Sequence, residues 1–117
     1  MNVCILSGWL MNNALAPKTE SHALFFTLVT KFGYDKAARR NLITGVRCVM
    51  FDPSPEIEKL LVEKGKKLAV ETEGYVRFWR YNAKGGCKLE AEVVVKNDSF
   101  TVWRRFQGRA SQKGGSP

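Results

Sequence analysis

Leu68-Ala-Val-Glu-Thr-Glu-Gly-Tyr-Val-Arg-Phe-Trp-Arg-Tyr81 sorts into two faces when read at the two-residue period of a β-strand. Leu68, Val70, Val76 and Phe78 fall on one side with Gly74 among them, and Tyr75, Arg77, Trp79 and Tyr81 fall on the other. One apolar face suffices for a core, so three aromatics alternating with arginine on the second face need a separate reason. Aromatic rings are stacking platforms for bases, and cations set between them neutralise phosphate. The alternative is a strand buried on both sides, with its second face at a subunit interface.

The sequence around this strand supplies the rest of an architecture. Residues 2–10 form a β-rich first strand, and residues 11–22 carry the Asn, Pro and Ser of a loop. Ala23 to Phe32 reads as a second strand, Gly33 to Asn41 as an exposed hairpin connection, and Thr44 to Asp52 as a third strand. The period then changes. Ser54 suits a helix N-cap, Pro55 the first helical position, and Glu56 and Glu58 the positive end of the helix dipole. Ile57, Leu60 and Leu61 form the core stripe of a helix about ten residues long, ended by Gly65. The fourth strand spans Lys67 to Tyr81, a glycine-rich turn follows over 82–87, and Lys88 to Val95 is the fifth. Three strands, one short helix, then two strands is the order of an OB-fold, an all-β, five-stranded Greek-key barrel that presents one face to oligonucleotides or oligosaccharides.

Composition narrows the ligand. A chain of 117 residues, 44% hydrophobic and 26% charged, makes one globular domain. Its net charge of +8 favours a polyanionic partner. Lys31, Lys36, Arg39 and Arg40 crowd one segment, and beyond Asp98 only Arg104, Arg105, Arg109 and Lys113 are charged. Cys4, Cys48 and Cys87 with the single His22 make no metal motif, so neither metal nor cofactor is expected. Cys4 and Cys48 fall on inward faces and read as small hydrophobes. Free thiols and the lack of a basic leader place the chain in a reducing cytoplasm. No apolar run reaches the length of a membrane helix. No catalytic constellation is present, which argues against an enzyme.

Several short motifs together resemble the DNA-binding domain of the bacterial single-stranded DNA-binding protein family. Met1-Asn-Val-Cys-Ile-Leu-Ser-Gly-Trp-Leu10 is similar to its opening strand, Phe26-Thr27-Leu28 to its second, and Arg47-Cys-Val-Met-Phe51 to its third. Glu92-Val-Val-Val95 fits the end of its last strand, so the match covers roughly residues 1–100. The resemblance implies stacking roles for Tyr34, Phe51 and Tyr81, while a further family tryptophan aligns with Gly45 and is missing. It also implies a homodimer or homotetramer. Family members end in an acidic, Phe-ended tip that recruits replication proteins. This sequence ends basic at Gly114-Gly-Ser-Pro117, which puts such recruitment in doubt.

The expected function is single-stranded DNA binding without strong sequence preference, in replication, recombination or repair. Stacking falls to Tyr34, Phe51, Tyr75, Trp79 and Tyr81, and phosphate neutralisation to Lys31, Arg40, Arg47, Arg77 and Lys84. Trp9 and Trp103 read as core or interface residues, and His22 receives no role. The binding domain is expected over 1–102 and a flexible, basic, Gly/Ser-rich tail over 103–117. Two alternatives stay open: a replication accessory or RNA binder on the same fold, and an oligomer whose aromatic face packs a subunit interface.

Overall fold

In the computed structural model, the residues described are 2–17 and 22–105. The chain forms β1 (Cys4–Leu10), β2 (Ala23–Asp35), β3 (Arg40–Phe51), α1 (Pro55–Lys64), β4 (Leu68–Ala83), β5 (Gly86–Val95) and β6 (Thr101–Arg105). Strand pairing runs β1-β2-β3-β5-β4, and β4 pairs back onto β1, so five strands close on themselves. All contacts are antiparallel except β3 with β5.

Closure falls at Gly74. It pairs with Cys4 of β1 on one edge and with Val95 of β5 on the other. A Cβ there would collide with the Val94 carbonyl oxygen and lie 2.8 Å from a Val93 methyl, so only glycine lets the strands approach this closely. The inward faces of the ring meet in one core. Leu10, Leu24, Leu28, Met50, Leu68 and Val70 are all at most 1% exposed. Helix α1 sits under this core through Leu61, with Ile57 and Leu60 packed beside it. The Ser54 hydroxyl accepts from the Ile57 N–H at 3.3 Å, as the sequence leads one to expect of an N-cap. His22 does have a role, pairing with Glu58 at 2.6 Å and tying the start of β2 to the helix.

The structure adds to the sequence-based expectations and alters some of them. The five expected strands form the closed ring, and a sixth follows them after a 3-10 turn at Asn97–Ser99. After it, β6 resumes the antiparallel pairing with β4 at Thr101↔Glu71, on the edge opposite β1. The turn is held by Ser99, whose hydroxyl meets Thr72 at 3.2 Å and accepts from the Glu73 N–H at 2.9 Å. Strand β6 reaches Arg105, and the rest of the region expected as a tail lies outside the described residues.

The connection expected over Gly33 to Asn41 is mostly strand. β2 and β3 pair as far as Asp35↔Arg40, with a bulge between Lys31 and Gly33, leaving a turn of four residues. Arg39 in that turn has φ 55°. The matching β4–β5 hairpin turns at Gly85 and Gly86, whose φ values of 98° and 129° suit glycine.

Phe78 is not core but 63% exposed. It lies on the inward-facing parity of β4, beyond the point where the barrel ends, and among the described residues no opposing layer covers it. Trp9 and Trp103, expected in the core or at an interface, are 40% and 55% exposed, so of those two places the core is not theirs.

Replacing Gly74 with alanine forces the ring apart, and overpacking of this kind costs about 1–3 kcal/mol. Gly74→Ala should lower the urea midpoint more than loss of the helix cap in Ser54→Ala, which removes about 1 kcal/mol. Equal midpoints would mean that closure does not depend on this contact.

Candidate nucleic-acid interface

Since β3 and β5 run parallel, the turns that precede them lie at the same end of the barrel. The β2–β3 and β4–β5 hairpins thus project as two prongs. They part beyond the pairs Cys48↔Val93 and Val49↔Val94. A cleft of about 720 Å3 opens there, lined by Thr27, Arg47 and Cys48 from one prong and Arg77, Phe78 and Glu92 from the other. Asn12, Asn13 and Leu15 of the β1–β2 connection also line it.

The outward parity of the strands builds the surface beside this cleft. Arg47 and Phe51 of β3 share it with Tyr75, Arg77 and Tyr81 of β4, and the registers carry it across Glu90, Glu92 and Val94 of β5. Its floor is a small apolar cluster of Ala23, Val49 and Val94 with Phe51 packed on it. Tyr75 and Tyr81 stand up from the face, 48% and 41% exposed. Phe25, paired with Val49, adds an aromatic that sequence reasoning missed.

The arginines of this face already hold carboxylates. Arg77 donates from Nε and a terminal nitrogen to Oε1 of Glu92, at 2.7 and 2.6 Å, and Glu92 is 6% exposed. Its Cζ lies 5.3 Å from the Phe51 ring centroid, within cation–π range, so guanidinium and ring are fixed against each other. Arg47 reaches Oε2 of Glu90 at 3.3 Å, and the Tyr81 hydroxyl donates to Oε1 of the same carboxylate at 3.1 Å. Glu90 thereby bridges the two prongs. The sequence shows Glu90 and Glu92 two residues apart, but only the register reveals that they point at the arginines.

Sequence-based comparison finds nothing: neither a protein-family model nor a curated protein matches the chain. Solved structures do. The single-stranded DNA-binding protein of Plasmodium falciparum in complex with single-stranded DNA superposes with a TM-score of 0.65 at 17% identity, covering 87% of this chain and 92% of that one. The mitochondrial single-stranded DNA-binding protein of S. cerevisiae gives 0.66 at 12% identity, covering 88% and 95%. A deletion mutant of the Thermus aquaticus single-stranded DNA-binding protein gives 0.66 at 17%, covering 89% of this chain and 51% of that one. The chain has the single-stranded DNA-binding protein fold.

On that fold the expected residues divide into two groups. Arg47, Phe51, Tyr75, Arg77 and Tyr81 come together on the outer face. Lys31, Tyr34 and Arg40 lie along the β2–β3 prong, all exposed, and Lys84 lies in the turn of the other prong. The Trp79 backbone pairs with Glu90, while its side chain lies outside the described residues. At Gly45 a Cβ would stand 3.1 Å from a Thr27 methyl, so the place aligned with a tryptophan is crowded here. Cys48 is buried and its thiol is pushed up to about 12 by desolvation, in keeping with a core role. Among the described residues no group of His, Cys, Asp and Glu could hold a metal ion, and no helix is long and apolar enough to cross a membrane.

The hydrogen bond to Glu90 pushes the Tyr81 phenol above the ordinary tyrosine value, because ionisation would forfeit the donor and set two negative charges side by side. Tyr81 with a raised folded-state value contributes stability at neutral pH that is lost as pH climbs through that value. In an alkaline ultraviolet titration, the difference between the wild type and Tyr81→Phe should show a phenol ionising later than pH 10. Glu90→Gln should bring that ionisation earlier; an unchanged titration would break the assigned bond.

Proposed function

We propose that this chain binds single-stranded DNA without strong sequence preference and protects it during replication, recombination or repair. One observation carries the reading: the barrel's outer face gathers Tyr75, Tyr81, Phe51, Arg47 and Arg77 beside a cleft between two basic prongs. The fold is shared with a protein seen in complex with single-stranded DNA. Bases stack on the exposed rings of Tyr34, Tyr75 and Tyr81 and on Trp79, which shares their strand parity. Backbone phosphates follow the cations of the prongs, Lys31, Arg40 and Lys84, and release counterions as they bind. The activity is binding and needs no cofactor, and the free cysteines suit a reducing cytoplasm.

The edge of β1 supports a homo-oligomer. β1 meets β2 at Trp9 and Leu10 but pairs along β4 from Cys4 onward, so much of one edge carries no strand among the described residues. Val3 and Ile5 beside it are 52% and 70% exposed. An open, apolar strand edge is a template for a second copy. Ile5→Lys should therefore halve the mass seen by light scattering, and an unchanged mass would place any oligomer contact elsewhere.

Titration with oligo-dT, followed by tryptophan quenching, tests the DNA reading. Affinity should fall steeply with salt. Tyr81→Ala and Trp79→Ala should each weaken binding by about 1–3 kcal/mol. Lys31→Ala and Lys84→Ala should each flatten the log–log salt dependence by about 0.7. Unaltered affinity in both aromatic variants would end the stacking mechanism, and tighter binding to structured RNA would favour the accessory reading.

A further inference from the structure

We infer that Glu90 biases the binding face toward bases that carry an exocyclic amine. This rests on the single-stranded DNA reading above and adds a base preference to it. The face is not uniformly positive. Glu90 and Glu92 occupy its centre, between Arg47 and Arg77, and a phosphate laid there would meet two carboxylates. The bound strand therefore turns its bases toward the centre and its phosphates toward the prongs.

Of the two carboxylates only Glu90 is placed to read a base. Glu92 is 6% exposed and held by Arg77 through two short contacts. The Glu90 side chain is 33% exposed. A carboxylate accepts only, through about four lone-pair sites. At Glu90, Oε1 accepts one hydrogen bond from Tyr81 and Oε2 one from Arg47, leaving acceptor capacity on both oxygens. The Tyr81 ring is anchored to this carboxylate through its own hydroxyl. A base stacked on that ring therefore carries its hydrogen-bonding edge past Glu90.

The chemistry of that edge decides the preference. Cytosine offers its N4 amine, a recognised donor to Glu. Adenine and guanine also carry exocyclic amines. Thymine and uracil set a carbonyl on each side of N3–H, and those oxygens repel a carboxylate. Glu90 thus favours cytosine over uracil or thymine on a face whose stacking is otherwise indifferent to sequence.

The test uses fluorescence anisotropy at pH 8 with deoxycytidine and deoxyuridine oligomers of one length at one salt concentration. The two differ only at C4 and N3 of the ring, so stacking and backbone are matched. The wild type should bind the cytidine oligomer about tenfold more tightly, as one discriminating hydrogen bond gives. Glu90→Gln, whose amide both donates and accepts, should tighten binding to both and bring the ratio to about one. Equal wild-type affinities, or a ratio that survives Glu90→Gln, would overturn the inference while leaving the DNA reading intact. Failure to bind either oligomer would overturn both. A thermal melt of Glu90→Gln matching the wild type shows that the comparison is made on folded protein.

Discussion

The structure depends on where the ring of strands closes. β4 is paired on both edges up to Gly74, and beyond it keeps β5 as its strand partner. Closure at this point needs the backbones of β4 and β5 to come closer than any side chain at residue 74 would allow. Inside the closed part, leucine and valine side chains meet at almost zero exposure. Beyond it β4 continues to Ala83 as half of a hairpin with no layer beneath among the described residues. The same holds for β2 and β3 on the other prong. A barrel that closes early on strands that run long must end in projecting hairpins, and the candidate site occupies the gap between them.

The charges of that site are largely committed before any ligand arrives. Arg77 is locked between Glu92 and the Phe51 ring, and Arg47 reaches across the prongs to Glu90. An exposed ion pair such as Arg47–Glu90 stabilises by only about 0–1 kcal/mol, so its main effect is to fix geometry. A guanidinium whose charge is already answered releases fewer counterions on meeting phosphate than one facing only solvent. The central arginines are thus held against carboxylate and ring, whereas Lys31, Arg40 and Lys84 stand exposed along the prongs. The sequence counts the cations of this face, but their partners emerge only with the register.

The parts legible in the sequence are those fixed by local chemistry. Ser54, Pro55 and the acidic first turn define the helix start, and the strand order follows from alternating runs separated by turn residues. Leu68 and Val70 are core, and Tyr75, Arg77 and Tyr81 are outward, because two-residue alternation survives folding. Phe78 defeats the same rule. Its parity is inward, but alternation cannot say where the barrel stops, and past that point an inward side chain faces open space. Strand β6 was hidden for a related reason: the 3-10 turn at Asn97–Ser99 breaks the period, and its hold on Thr72 and Glu73 is long-range. Glu90 and Glu92 were legible as residues but not as partners, since cross-strand pairing depends on register.

Aromatic exposure alone does not single out the binding side of the β4–β5 prong. Phe78 and Leu89, on the inner parity, are each more exposed than Tyr75 or Tyr81 on the outer. Continuity decides between them. On the outer parity, Tyr75 lies in a row with Val94, Val49 and Phe25, and beyond it Arg77 with Glu92 and Arg47 with Thr27 line the cleft from its two prongs. Along the Tyr75 row, β4, β5, β3 and β2 form one continuous surface beside that cleft. On the inner parity the rows run into the barrel wall at Val76 and Val93, which face the packed core. A ligand entering from that side meets a dead end within a few residues. The outer face is therefore the continuous one, and strand geometry spaces its aromatic, guanidinium and carboxylate groups along it.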